Sequence, residues 1–249
     1  MTGFVLEIAA NSLGSALAAQ EGGADRIELC DNLNDGGTTP SYGTLAIARD
    51  RLRIPLYVLI RPRTGDFCYD AAELDVMLRD IETCARVGCD GVVIGALDVQ
   101  GNIDKTLCRA LIAAAGSLGV TFHRAFDVAR DQARALDTII ELGCERILTS
   151  GGEANALAGA ERIAGFVKQA GSHLRMMAGA GLDASNIREV ARRSNAHEFH
   201  GSARAMRRSL SRHRNDALPG LDVDWWQTDA GIVRAMVDAL SGRENQGTA

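Results

Sequence analysis

Lysine is nearly missing from this chain. Of its 27 basic residues only Lys105 and Lys168 are lysine, and the rest are arginine. A Schiff-base lysine must reach the reacting carbonyl, and both of these fall in helical patterns, not at strand ends, which disfavours an aldolase of that type. No apolar run approaches the ~20 residues that a membrane helix needs. The first residues, Met1-Thr-Gly-Phe-Val-Leu-Glu7, lack the basic start and apolar centre of a secretory signal. The six cysteines, Cys30, Cys68, Cys84, Cys89, Cys108 and Cys144, form no CxxC and no regular spacing, so reduced, mostly buried thiols of a cytoplasmic protein are expected. Zinc-protease spacing of the HExxH kind is also lacking. The formal net charge of -5 gives no reason to expect nucleic acid or an anionic membrane as a partner.

What is present is a repeated unit. The 249 residues divide into eight strand-then-helix units. Strands are expected at 4–8, 25–30, 56–61, 91–96, 119–124, 145–150, 173–178 and 197–202. Helices are expected at 12–20, 42–50, 71–87, 105–115, 131–142, 155–169, 183–193 and 229–240, with Asp183 capping the seventh. An internal echo supports this division. Glu21-Gly-Gly-Ala-Asp-Arg-Ile-Glu28, Val87-Gly-Cys-Asp-Gly-Val-Val93 and Leu142-Gly-Cys-Glu-Arg-Ile-Leu148 share one form, in which glycine ends a helix and an acid precedes the next strand. Eight such units in a chain of this length fit a single α/β domain, a (β/α)8 TIM barrel over about 4–204 with a C-terminal loop and closing helix over about 205–249. The runner-up, a doubly wound open sheet, lacks its phosphate-binding Gly-rich turn, because Asn11-Ser-Leu-Gly14 follows the first strand.

Charged side chains recur inside or just after the short apolar runs. Glu7, Glu28, Arg61, His123, Arg124, Glu198 and His200 all belong to strands or strand ends, where an unpaired charge is costly. In a barrel the C-terminal strand ends converge on one site, so the pattern predicts a polar pocket there. Polar strand ends can also fill a barrel interior as a purely structural layer. His123 is the leading candidate acid/base because its ordinary pKa lies near neutrality, with Glu28 or Glu7 as its carboxylate partner. Arg61, Arg63 and Arg124 are candidates for gripping an anion, and Asp66 shares the loop with Arg63. Gly36-Gly37 either offers N–H groups to an anion or permits a tight turn. Ser150, Gly179, Gly181 and Ser202, in the loops after the last three strands, with Glu198 and His200 of the eighth, complete the candidate substrate- and anion-binding set.

Several longer motifs carry a resemblance. Arg26-Ile-Glu-Leu-Cys30, Gly36-Gly-Thr-Thr-Pro-Ser41, Ile60-Arg-Pro-Arg-Thr-Gly-Asp-Phe67, Val120-Thr-Phe-His-Arg-Ala-Phe-Asp127, Leu148-Thr-Ser-Gly151 and Glu198-Phe-His200 resemble the CutC family, the copper homeostasis proteins, in order across about residues 4–204. The resemblance implies a cytoplasmic TIM barrel, a homodimer or other homo-oligomer, and a link to copper tolerance or copper binding. Copper is therefore the candidate cofactor, with Cys30 and Cys68 as candidate ligands, since Cu(I) prefers thiolates. Where some family members carry a cysteine on the first strand, this chain has Ala9, which removes half of a thiol pair. Two other readings stand beside copper: an enzyme acting by His/Glu acid–base chemistry on a small phosphorylated or carboxylated metabolite, and a non-catalytic binder of such a ligand. The basic segment from Arg204 to Arg214 reads as a solvated loop, and Trp225-Trp226 as part of a loop before the closing helix, packed on the barrel or at a dimer contact.

Overall fold

The structure is a computed structural model that describes residues 3–242 except 216, 219, 220 and 222. Eight parallel strands close into a barrel in sequence order: β1 (Val5–Ala10), β2 (Arg26–Leu29), β3 (Leu56–Leu59), β4 (Gly91–Ile94), β5 (Gly119–Phe122), β6 (Arg146–Thr149), β7 (Arg175–Gly179) and β8 (Glu198–Gly201). Around them run α1 (Leu13–Gly22), α2 (Tyr42–Arg51), α3 (Ala71–Val87), α4 (Lys105–Ala115), α5 (Gln132–Leu142), α6 (Ala160–Ala170), α7 (Ile187–Ser194) and α8 (Ala230–Ser241). The expected (β/α)8 architecture is therefore present. Among the described residues no helix is long and apolar enough to cross a membrane.

The echoed glycines end helices as expected. Gly23, Gly88 and Gly143 take φ of 93°, 84° and 82°, and each donates its N–H to carbonyls of the last helical turn. Two helices start later than their periodicity suggests. Asn155 accepts the N–H of Ala158 in a preceding turn, and α6 begins at Ala160. Asp183 caps a local turn by accepting from Ser185, so it does not cap α7, whose N-cap is Asn186.

Alternation along the strands separates two interiors. Leu6, Ile8 and Ala10 of β1 belong to the large apolar layer between sheet and helices, as do Ile27, Leu29, Val58, Ile147 and Phe199. The intervening residues face the barrel axis, where Cys30, Tyr57, Leu59 and Val93 form a smaller apolar cluster. Gly91 leaves room for Tyr57: a Cβ there would lie 2.1 Å from its ring.

One further pairing differs from expectation. Arg204–Arg207 is a strand, β9, and it pairs antiparallel with β10 (Trp225–Thr228). The basic segment is thus half a hairpin rather than wholly a loop. Trp226 is 43% exposed, with the Arg204 guanidinium over its ring 5.9 Å from the centroid.

Candidate active site at the barrel mouth

Below the mouth, the barrel is closed by ion pairs. Arg26 donates to Glu7 and, at 2.6 Å, to Glu198, which also accepts from Arg146 at 3.0 Å. Arg146 continues to Thr121 (2.9 Å) and Glu145 (2.5 Å), and the Tyr57 hydroxyl donates to Glu145. Tyr57 also lies under both guanidiniums, 5.3 Å from Arg26 and 5.0 Å from Arg146. Two buried arginines thus face two buried glutamates, and this layer balances its own charge.

Above it, His200 Nδ1 lies 2.7 Å from Glu7 Oε1. Burial alone would raise the Glu7 carboxyl, but Arg26 and His200 outweigh it and hold it at about 2. Burial alone would lower His200, but the carboxylates of Glu28 and Glu7 outweigh it and raise it above the ordinary value. His200 therefore donates from Nδ1 to a carboxylate.

That cavity encloses about 370 Å3 and is lined by Glu28, Arg61, His123, Arg124, Ser202 and Arg204 together with the apolar Ala9, Leu33, Leu59, Phe67, Leu148 and Leu182. His200, Gly36, Ala180, Gly181 and Gly201 complete the wall. Glu28 is 5% exposed, and its Oε2 has no protein partner. Burial pushes its carboxyl up to about 7; nearby His200 and Arg26 moderate the rise and Glu7 adds to it. Arg61 is equally buried and pairs with no carboxylate among the described residues. Its two terminal nitrogens donate to the carbonyls of Gly37 and Gly65, both at 2.8 Å, and clamp the loops after β2 and β3, while Nε stays unpaired.

His123 closes β5. Its Nδ1 accepts the Ala125 N–H at 3.1 Å, so the ring proton sits on Nε2, which is buried without a protein partner. Burial, then the Arg61 charge, lowers it to about 3, so the ring is neutral at physiological pH. Phe67 packs against the imidazole at 4.9 Å between centroids, and Gly95 makes the space beneath it, where a Cβ would lie 2.4 Å from the ring. In this environment the His123 ring is neutral and carries its proton on Nε2, while Glu28 is the carboxyl that burial brings near neutrality. A carboxylate is not its partner, since Glu7 is committed to His200 and Arg26.

The mouth thus gathers Glu28, Arg61, His123, Arg124, Gly181, His200 and Ser202 of the expected set. Others are used elsewhere. Arg63 holds its own loop by donating to Glu73 (2.5 Å), Asp66 (3.0 Å) and the Cys68 carbonyl (2.8 Å), so neither Arg63 nor Asp66 lines the cavity. Ser150 binds Asp127 at 3.0 Å, and Arg124 reaches both of them, which ties the β5 and β6 loops together. Gly179 packs under Leu148, and Glu198 belongs to the ion-pair layer below. The Gly36-Gly37 pair makes a tight turn, with both N–H groups spent on carbonyls of Leu33 and Asn32. Arg26, Arg146 and Arg204 were not among the expected site residues. Arg26 was findable, because it stands two residues before Glu28 and so shares its face of the strand.

The thiols do not gather here. Cys30 is buried with its sulfur 3.7 Å from the Ala10 carbonyl, and burial, reinforced by Glu28 and Asp31, raises its pKa well above the ordinary value. Cys68 donates to the Asp98 carbonyl at 3.4 Å, and neither cysteine lines the cavity. Among the described residues, the cluster with metal-ligand spacing is Glu7, Glu28 and His200, whose donor atoms lie within 4.8 Å of one another. Two carboxylates and an imidazole do not fit the thiolate preference of Cu(I).

Residues 4–205 match the CutC family. A CutC family protein of Xanthomonas campestris pv. campestris (strain B100) is 56% identical over 235 residues, covering 94% of this chain and 98% of its own. A solved structure from Streptococcus agalactiae, described provisionally as the copper homeostasis protein CutC, is 33% identical with a TM-score of 0.77, covering 80% of this chain and 98% of that one. Phosphoribosyl anthranilate isomerase from Thermotoga maritima, at 13% identity and a TM-score of 0.59 over 96% of this chain and 99% of that one, shares the fold.

Proposed function

The chain belongs to the CutC family, and from that premise we propose that its barrel mouth binds a small phosphorylated or carboxylated metabolite and acts on it by acid–base chemistry. One observation carries this reading. Glu28 Oε2, Arg61 Nε and His123 Nε2 are buried without protein partners, and all three residues line one cavity. Buried polar groups are rarely left unpaired, and such exceptions concentrate where a ligand completes them. Arg61 sets the sign of that ligand: a buried guanidinium without a carboxylate needs an anion. Glu28 supplies a carboxyl that exchanges its proton near neutral pH.

The test is calorimetric titration with inorganic phosphate and 2-phosphoglycolate. Arg61→Met is expected to weaken binding roughly 10- to 100-fold, the value of one to two charge-assisted hydrogen bonds. No binding of either anion to the unaltered protein overturns the reading. A metabolite screen for turnover then separates an enzyme from a non-catalytic binder.

We place the protein in the cytoplasm, where its six free cysteines would stay reduced. A copper role does not depend on the thiols in this reading. In competition with a Cu(I) chelator, Cys30→Ala is expected to leave copper uptake unchanged; a loss on that substitution would favour copper carriage instead.

A further inference from the structure

We infer that the chemistry at this mouth is proton transfer at the carbon beside a carbonyl, with Glu28 as the base and the His123 Nε2–H holding the enolate oxygen, on a short hydroxy-aldehyde or hydroxy-ketone that bears the anionic group. This rests on the reading just proposed and specifies its reaction and substrate class.

Three observations select it. First, covalent routes lack their nucleophile. Lys105 is on α4 and pairs with Glu141, Lys168 is on α6, and neither lines the cavity. The Cys30 sulfur is buried against a carbonyl outside the cavity wall. Ser202 lines the cavity, but no imidazole or carboxylate among the described residues accepts its hydroxyl proton.

Second, His123 is built to donate and not to titrate. The Ala125 N–H fixes the tautomer from one side, Phe67 and Gly95 fix the ring plane, and Arg61 opposes a charged imidazolium. A neutral imidazole donor matches the basicity of an enolate oxygen, and its pairing with a carboxylate base is a known solution to enolisation in barrels of this type. Third, Glu28 has a free oxygen in the same cavity, three strands away from His123 around the barrel. His200 has a ring nitrogen within 4.8 Å of a Glu28 carboxylate oxygen, and its Nδ1 is held by Glu7, so a cation stands beside the base.

The step balances without a co-reactant. Glu28 takes the proton as the C–H pair becomes the carbon–carbon double bond of the enediolate. The carbonyl π pair moves to oxygen, where the His123 Nε2–H stabilises it. Return of the proton from Glu28 to the neighbouring carbon, with the hydroxyl proton passing to the former carbonyl oxygen, isomerises the substrate, whereas return to the same carbon on the same face regenerates it.

The experiment compares glycerol 3-phosphate, tetrahedral where the enediolate is planar, with phosphoglycolohydroxamate, a planar mimic of the enediolate, by calorimetry on the whole protein. The hydroxamate is expected to bind about a hundredfold tighter, and His123→Phe to bring the ratio of the two affinities close to unity. Equal affinities on the unaltered protein, or a preference that survives His123→Phe, overturn the enolisation proposal. In that event, Arg61-dependent binding of glycerol 3-phosphate still upholds the anion site. Failure of both probes to bind overturns the two readings together. The comparison on the unaltered protein needs no variant to fold.

Discussion

Glu198→Gln is expected to cost about 3–5 kcal/mol of folding stability, measured by urea denaturation at neutral pH. Glu198 is the shared acceptor of the layer beneath the mouth, taking hydrogen bonds from Arg26 at 2.6 Å and Arg146 at 3.0 Å, with a further contact from Arg175 at 3.4 Å. Its side chain is 3% exposed. Glutamine keeps the shape but removes the charge, leaving two buried guanidiniums over Glu7 and the half-exposed Glu145. Against a total stability of roughly 5–15 kcal/mol, that loss is large. The exposed Lys105–Glu141 pair, 2.9 Å apart, is the control: removing it should cost under about 1 kcal/mol. A similar small loss for Glu198→Gln would mean that Glu7 and Glu145 suffice for both arginines. Replacing Arg26, Arg146, Glu7 and Glu198 together by packed apolar residues tests a different point, because such replacements are often neutral for stability. The same change would remove the Glu7 support of His200.

The layer beneath the mouth also shows where sequence reading stops. The strand-end charges Glu28, Arg61, His123 and His200 were legible because each interrupts or closes an apolar run, and a barrel brings such ends together. The helix-ending glycines were legible because the left-handed cap favours glycine. Arg63 and Asp66 were not separable from Arg61, since nothing in a loop sequence says which side chains turn inward; here Arg63 turns back to brace its own loop. The protonation of His123 was not legible, because it is decided by burial, the Arg61 charge and one backbone N–H, of which only Ala125 is local in sequence. The β9–β10 pairing joins segments with a long connection between them, so neither short-range alternation nor a two-residue turn announces it.

If Glu28 is the base of the proposed acid–base reaction, Glu28→Gln is expected to lower turnover about 10²- to 10⁴-fold while making the protein more stable above neutral pH. The sign follows from the carboxyl, which burial pushes up from 4.5 to about 7. Below about pH 4.5 it is protonated in both folded and unfolded chains, so the stability it contributes is fully present and glutamine changes little. Between 4.5 and 7 the unfolded chain releases its proton while the folded chain keeps it, and that stability is progressively lost; above 7 the loss is complete. Glutamine cannot ionise and avoids the loss. Glu7 from β1, Arg26 from β2 and His200 from β8 face the same carboxyl, and His200 would give up a favourable charge on the substitution. The net gain at pH 8 is therefore on the order of 1–3 kcal/mol, visible as a rise of several degrees in Tm that vanishes at pH 4. Turnover of the unaltered protein should rise through about pH 7 as the base form of Glu28 appears. A variant that loses turnover without gaining stability at pH 8 would show that Glu28 is already ionised and paired in the resting protein, with turnover then levelling off well below pH 7.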